Sequence, residues 1–469
     1  MTERTAYRTA AAALSVGLSL AVLAGGCAVP GGATAARAES TRPGVRAAVQ
    51  QLVAAGGAPG AAALSRTQGH TPWFGTAGVS DLRSRRRMRE GDRFRAGSLT
   101  KTFVATVVLQ LAGEGRLRLT DRVEDHLPGL VRGRGNDGRR ITVRQLLAHT
   151  SGLFNYTEDP RLAARLFGRG FRAHHTQAHT PRELVRIALR HPPPFPPGTD
   201  YGYSNTDYIL LGLIVERVTG RPYAAEIERR VLRPLRLEGT SFPGRRADLP
   251  DPHGRAYSTP GDGSVRRGSP VGPGVHEGHG ERDRHGERHR HGATDPHGVH
   301  ERHDTHEGHA AHEGHAAHDR HGERDRHGER SAGSGRRRGA SREDGIADVT
   351  RLDPSSAGAA GEAVSTLGDL NRFLHALLGG ALLTPGQLRQ MRDTTATGGR
   401  YGLGLFPVRL PCGATLWGHN GTINGSYVRA LGTPDGAHVL TYRVNTDHAP
   451  TRRAETRLQQ AEFCPPRTR

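Results

Sequence analysis

Lysine is all but missing from this chain of 469 residues: of 66 Lys plus Arg, only Lys101 is lysine. Guanidinium stays protonated at any usable pH, whereas a buried lysine amine can shed its proton and act as a base. The exception therefore marks a position where arginine cannot serve. Aromatic residues make up 5% and apolar residues 35% of the chain, too little for every segment to join a core. Beyond residue 24 there is no long apolar run, which excludes a later membrane-spanning helix of roughly 20 residues. The formal net charge is +20, but the arginines are spread along the chain and are not interleaved with aromatics. That argues against nucleic acid as a partner. A basic chain of this kind, once exported, would associate with an anionic cell surface through weak, salt-screened attraction.

Residues 1–38 read as a secretory leader, with Arg4 and Arg8 ahead of an apolar stretch from Ala10 to Ala24 and small residues after it. Ala36-Arg37-Ala38 offers one cleavage site. Leu23-Ala24-Gly25-Gly26-Cys27 offers another, and it would leave Cys27 as a lipid anchor. Residues 39–469 are then expected to form the folded domain, and the mature chain to be secreted or, through Cys27, tethered to the outer face of the cytoplasmic membrane. With Cys27 set aside, Cys412 and Cys464 remain, an even pair in an oxidising compartment. They read either as a disulfide or as two unrelated buried thiols.

Residues 261–345 form a second segment without core-forming side chains, a low-complexity insertion of His, Gly, Glu, Arg, Asp and Ala. Histidine recurs there at every third position: His300, His303, His306 and His309, then His312, His315, His318 and His321. A period of three drifts around a 3.6-residue helix but aligns imidazoles along an extended polyproline-like chain, where they could bind divalent Zn, Ni or Cu ions. The plainer alternative is a solvated insertion. No His-Glu-x-x-His helix is present, because His306-Glu307-Gly308-His309 is one residue too short for a zinc-protease site.

Ser98-Leu99-Thr100-Lys101 places a hydroxyl and the sole lysine at i, i+3, on one face of a helix. Residues 102–112 are apolar nearly all round, the pattern of a helix buried inside a domain, with Gly113 and Gly115 ending it. Ser98 would thus sit at the positive end of a helix dipole, where developing negative charge is favoured. This pattern points to acyl transfer through a serine nucleophile. Further helices are expected over Arg42 to Ala54, Thr142 to His149, Pro181 to Arg190, Asn205 to Val218 and Arg452 to Phe463. Strands are expected over Ala61 to Arg66, Trp73 to Val79, Tyr401 to Phe406, Thr415 to Gly418, Ser426 to Gly432 and Val439 to Val444. Strands at both ends with helices between them predict a sheet assembled from the two termini, with a helical domain inserted into it.

Three motifs in order, Ser98-x-x-Lys101, Tyr203-Ser204-Asn205 and His419-Asn420-Gly421, make the chain resemble the serine β-lactamase and penicillin-binding protein superfamily. The resemblance is strongest to its D-alanyl-D-alanine carboxypeptidase and class C branch. Leu146 to Leu153, Pro197-Gly198, Ser365-Thr366 with Asp369-Leu370, and Tyr401 to Leu405 add to it, and it spans about residues 44 to 464 apart from the insertion. It implies an α/β fold, with an antiparallel five-stranded sheet flanked by helices and an inserted all-helical domain. It also implies a catalytic Ser98, Lys101 and Tyr203, and no cofactor. Asn205 would hold Lys101 and the substrate amide, and the backbone N–H groups of Ser98 and Thr422 would form the oxyanion hole. His419, Asn420 and Gly421 would line the substrate site, with His419 giving electrostatic and steric support beside a bound carboxylate. Exported actinomycete members resemble the chain at Cys412 and Cys464, which there form a disulfide.

The expected activity is that of an exported D-alanyl-D-alanine carboxypeptidase acting on peptidoglycan stem peptides and acylated by β-lactams. A β-lactamase or esterase on the same scaffold is the alternative. A metal-binding or wall-binding protein acting through its His-rich insertion, or an inactive relative that only binds wall peptides, belongs to another class. Two departures bear on specificity. Asn420 stands where carboxypeptidases commonly have a hydroxyl residue, and Phe406 occupies a slot where an arginine can bind the terminal carboxylate, with Arg409 three residues on.

Overall fold

A computed structural model describes residues 42–259, apart from 56 and 169, and residues 346–465. The expected leader with Cys27, and the His-rich insertion, lie outside the described residues. From the N-terminal side come α1 (Pro43–Ala54), β1 (Gly60–Thr67) and β2 (Trp73–Gly78). The principal helices that follow are α2 (Thr100–Gly113), α3 (Val143–Leu147), α4 (Pro181–Ala188), α5 (Asn205–Thr219) and α6 (Leu367–Leu378). Then come β3 (Phe406–Arg409), β4 (Thr415–Ile423), β5 (Ser426–Gly432), β6 (His438–Val444) and α7 (Arg452–Phe463).

The strands form one antiparallel sheet of six, in the order β2-β1-β6-β5-β4-β3, so that β1 from the N-terminal part pairs with β6 from the C-terminal part. The expected class holds with one strand more than the five implied by the resemblance. The sixth is the short edge strand β3. Alternation along β1 sends Ala61 and Ala63 to one face and Ala62 and Leu64 to the other. On the first face, Val45, Val49 and Leu52 of α1 pack with Leu458 of α7 against Leu440 and Tyr442. Burying each such side chain contributes about 2 kcal/mol. On the second face, Leu370, Phe373 and Leu374 of α6 join Val428 and Val439, and the same core continues into the helices through Leu146, Leu184 and Ile214. Buried along nearly its whole length, α2 runs through the middle of that core.

Capping explains where the helices begin. Thr142 Oγ1 accepts from Gln145 N while Gln145 Oε1 accepts from Thr142 N, and Thr180 and Glu183 repeat the arrangement with Pro181 at the first turn. One expected strand is corrected. Residues 401–405 form a turn instead, and strand geometry starts only at Phe406. Tyr401 exchanges hydrogen bonds with Thr397 Oγ1, Leu403 N donates to Met391 O, and Gly402 N donates to Leu405 O, so these backbone groups are not free to build a ladder. Gly404, at φ +83°, lets the turn press on α2, where Thr102 Oγ1 donates to its carbonyl at 2.7 Å.

Cys412, beyond β3, is disulfide-bonded to Cys464 at the end of α7, with Cα atoms 6.0 Å apart. The residues flanking the insertion meet in a small ribbon in which Tyr257 pairs with Asp348 and Ser258 with Ala347.

Candidate active site

Ser98 occupies a single 3-10 turn, Gly97–Leu99, that leads directly into α2. The turn is wedged against β4. A Cβ on Gly97, itself at φ +52°, would come 2.8 Å from Thr422 N, and one on Gly421 would come 3.0 Å from Ser98 N and 1.9 Å from Ala96 O. Glycine at both positions is what lets strand and turn approach so closely. The approach brings the amide groups of Ser98 and Thr422 to the same junction.

Lys101, one turn along, is completely buried, and its amine has three neighbours: Ser98 Oγ at 3.1 Å, Asn205 Oδ1 at 2.8 Å and the Ala360 carbonyl at 2.7 Å. The last two can only accept, so they fix two N–H groups and leave the third position of the nitrogen facing Ser98. Burial holds the Lys101 amine well below the usual lysine range; a charge on Asp207 would act in the opposite direction. In its neutral form the amine therefore turns its lone pair to Ser98. Tyr203, in the extended segment before α5, donates its hydroxyl to Ser98 Oγ at 2.8 Å. Desolvation pushes that phenol up, so it holds its proton.

Asn205 opens α5. Its Nδ2 donates to Asn155 Oδ1 and Thr157 Oγ1, each at 3.2 Å, which orients Oδ1 toward Lys101 and leaves one oxygen lone pair for a ligand. On β4, His419 is buried, Asn420 is half-buried with Oδ1 unpartnered among the described residues, Gly421 is buried and Thr422 is exposed. The electrostatic part expected of His419 does not fit its surroundings. Burial pulls its imidazole to about 3, and both ring nitrogens are engaged, by the Tyr401 hydroxyl and the Asn420 carbonyl. It is a neutral wedge beneath the strand.

The structure thus brings Ser98, Lys101, Tyr203 and Asn205 into one hydrogen-bonded cluster and sets the 419–422 strand beside it. Sequence reasoning missed Asn155, Thr157 and Ala360, which orient the cluster, and His149 and Asp207, buried behind it. Asp207 carried a readable signal, an acid inside the otherwise apolar stretch of α5. Among the described residues, no group of three or more His, Cys, Asp or Glu could hold a metal ion, and no helix is long and apolar enough to cross a membrane.

A buried amine and a phenol converging on one serine hydroxyl, on a sheet with a helical layer, define a serine hydrolase. The chain belongs to the Beta-lactamase family, which matches residues 45–464. Protein flp of Staphylococcus aureus is 31% identical over 185 residues, 39% of this chain and 35% of that protein. Penicillin-binding protein 4 of Amycolatopsis lactamdurans is 34% identical over 145 residues, 31% of this chain and 34% of that protein. The chain therefore spans about a third of the length of the curated relatives it matches. Among solved structures, a D-stereospecific amidohydrolase from Streptomyces sp. is 37% identical with a TM-score of 0.68, covering 90% of this chain and 98% of that one. D-amino acid amidase from Ochrobactrum anthropi SV3, at 21% identity and a TM-score of 0.63 over 89% of this chain and 98% of that one, shares the fold.

Proposed function

We propose that this chain is a serine amidohydrolase that transfers the acyl group of a D-aminoacyl amide or ester first to Ser98 and then to water. The observation that carries the reading is Ser98 Oγ held between Tyr203 Oη at 2.8 Å and Lys101 Nζ at 3.1 Å. As Oγ bonds to the acyl carbon, its proton passes to the Lys101 lone pair. The oxyanion is received by the N–H groups of Ser98 and Thr422, each worth about 3 kcal/mol in such sites. The leaving amine takes a proton from Tyr203, whose phenol regains one from Lys101. Water then attacks the ester by the reverse transfers. Lys101 and Tyr203 share the proton as one unit.

Preference for a D-configured donor is supported by the Streptomyces amidohydrolase, which is 37% identical. The narrower reading, a D-alanyl-D-alanine carboxypeptidase on peptidoglycan peptides, draws support from Penicillin-binding protein 4, but neither Phe406 nor Arg409 supplies an anchor for the terminal carboxylate. Phe406 is buried, and Arg409 lies in register with Thr415, about 20 Å along the strand from Gly421 at roughly 3.3 Å per residue. A neutral leaving group suits such a cleft better. Export of the mature chain is supported by the Cys412–Cys464 disulfide.

The test combines intact-mass detection of an acyl-enzyme with kinetics on D-alanine p-nitroanilide, and on a peptide ending in D-Ala-D-Ala against its C-terminal amide. Release of nitroaniline, lost in Ser98→Ala, with the amide cleaved at least as fast as the acid, supports the amidohydrolase. A preference of a hundredfold for the free acid would establish the carboxypeptidase in its place. A lasting penicillin adduct alone would indicate a penicillin binder, and rapid penicilloate release a β-lactamase.

A further inference from the structure

One residue brackets Tyr203 on both sides. The N–H of Gly202, just before it, donates to the His149 carbonyl at 2.9 Å, and the N–H of Ser204, just after it, donates to His149 Nδ1 at 3.3 Å. The His149 ring itself lies 4.3 Å from the Tyr203 ring, centroid to centroid. His149 is fully buried and holds a left-handed backbone at φ +58°, which residues other than glycine keep only where their surroundings impose it. Behind it, Asp207 places Oδ2 2.9 Å from Nδ1, while its Oδ1 accepts from Ser151 Oγ at 2.5 Å.

Counting protons assigns this pair. A backbone N–H can only donate, so Nδ1 of His149 is the unprotonated nitrogen, and the shorter 2.9 Å contact draws its hydrogen from Asp207, which shares the single Nδ1 lone pair with the longer Ser204 contact. The ring hydrogen then sits on Nε2, which has no hydrogen-bond partner among the described residues. The ring stands among those of Tyr201, Tyr203, Tyr208 and Tyr401, with centroids 4.3 to 6.4 Å from its own.

We propose that His149 and Asp207 position the Tyr203 phenol against Ser98, with Asp207 held as a neutral acid that donates to a neutral His149. This deepens the acyl-enzyme reading of Ser98 and rests on it. Burial pushes the Asp207 carboxyl up and the His149 imidazole down, in keeping with the proton count. The neutrality has a purpose beyond geometry. An ionised Asp207 would favour the ammonium form of Lys101, whereas the protonated acid leaves that amine free to act as a base.

The experiment measures kcat and KM of the full chain on D-alanine p-nitroanilide, with melting curves, for the native protein, Tyr203→Phe, His149→Asn, Asp207→Asn and Asp207→Leu. Asparagine tolerates the left-handed backbone but takes the ring away from Tyr203. The expected result for His149→Asn is a fall in kcat of about a hundredfold with KM nearly unchanged, approaching Tyr203→Phe. Asp207→Asn can still donate to Nδ1 and accept from Ser151, so it should recover most of what Asp207→Leu loses. Native kcat in His149→Asn, or an Asp207→Asn as impaired as Asp207→Leu, overturns the proposal. Should Asp207→Leu fail to fold, Asp207→Asn decides alone: within about threefold of native it supports the neutral acid, and a hundredfold loss refutes it. No release by the native chain, together with no adduct on Ser98 by intact mass, would sink the acyl-enzyme reading itself.

Discussion

The Tyr401 hydroxyl stands 2.9 Å from His419 Nε2, and this contact fixes the proton inventory of the ring. On the other side, Nδ1 faces the Asn420 carbonyl, which can only accept, so Nδ1 carries the hydrogen and Nε2 takes the tyrosine's proton as an acceptor. The head of the His419-Asn420-Gly421 motif is thus a neutral, fully hydrogen-bonded group. In the proposed reaction the polarity comes from the backbone amides and the Lys101–Tyr203 pair, and a substrate that brings a carboxylate would find no cation at His419.

His419→Gln, neutral and able to bond on both sides, should stay within about tenfold of native kcat/KM, whereas His419→Lys should lose roughly a hundredfold, because it buries an unpaired amine beneath the strand in place of a satisfied ring. Stability carries the same signature. With its pKa at about 3 in the folded chain against 6.5 for an ordinary histidine, His419 binds a proton only in the unfolded state between those values. Its contribution is therefore intact above pH 6.5 and is lost as pH falls toward 3. Melting temperatures across that window should drop less in His419→Gln than in the native chain.

Lys101→Arg should fold and yet acylate roughly a thousandfold more slowly, since guanidinium cannot give up its proton and the general-base part is lost. Lowering of the lysine pKa by burial has a defined sign in a pH–rate profile: acylation falls as acid reprotonates the amine, at a pH well below that of a free lysine. Single-turnover rates from acid to alkaline pH check this. An acid limb absent from the native profile, or one unchanged in Lys101→Arg, would remove Lys101 from the proton path.

The order of the elements and the Ser98–Lys101 pairing were legible because both rest on local physics: apolar periodicity, capping boxes, and i, i+3 spacing along a helix. Residues 401–405 were not, because Tyr-Gly-Leu-Gly-Leu alternates large and small side chains with the period of two of a strand. What bends it is the pairing with Thr397 and Met391, a tertiary fact. His149 and Asp207 were hidden for a related reason. They are far apart in sequence, and only the packing of α5 beside the segment after α3 makes them a pair. Phe406 was legible as a missing arginine, but that Arg409 could not replace it required the register of β3 on β4.

The Cys412–Cys464 disulfide closes a separation of 52 residues and ties the turn between β3 and β4 to the end of α7. Chain-entropy arithmetic for a loop of that size gives about 4 kcal/mol. Replacing both cysteines with alanine should lower the melting temperature by about five degrees. Acylation at room temperature should persist, because the bond joins the far end of the sheet edge and touches none of the groups around Ser98. A parallel loss of acylation in protein that still melts cooperatively would count against that separation.

Excision of residues 266–340 asks whether the His-rich insertion belongs to the chemistry. Its flanks are already joined where Tyr257 pairs with Asp348 and Ser258 with Ala347, and Ala256 and Val349 pack against the Gly425 turn just beyond β4. A short Gly-Ser linker can bridge those ends without disturbing the sheet, so the shortened chain should melt within a few degrees of native and turn over D-alanine p-nitroanilide at an unchanged rate. Histidines spaced every third residue should hold the full chain on immobilised nickel far more strongly than the shortened one. That outcome would make metal capture and hydrolysis separable properties. Loss of turnover with an unchanged melting temperature would instead show that the insertion, which leaves the fold beside the strand carrying Gly421 and Thr422, takes part in the reaction.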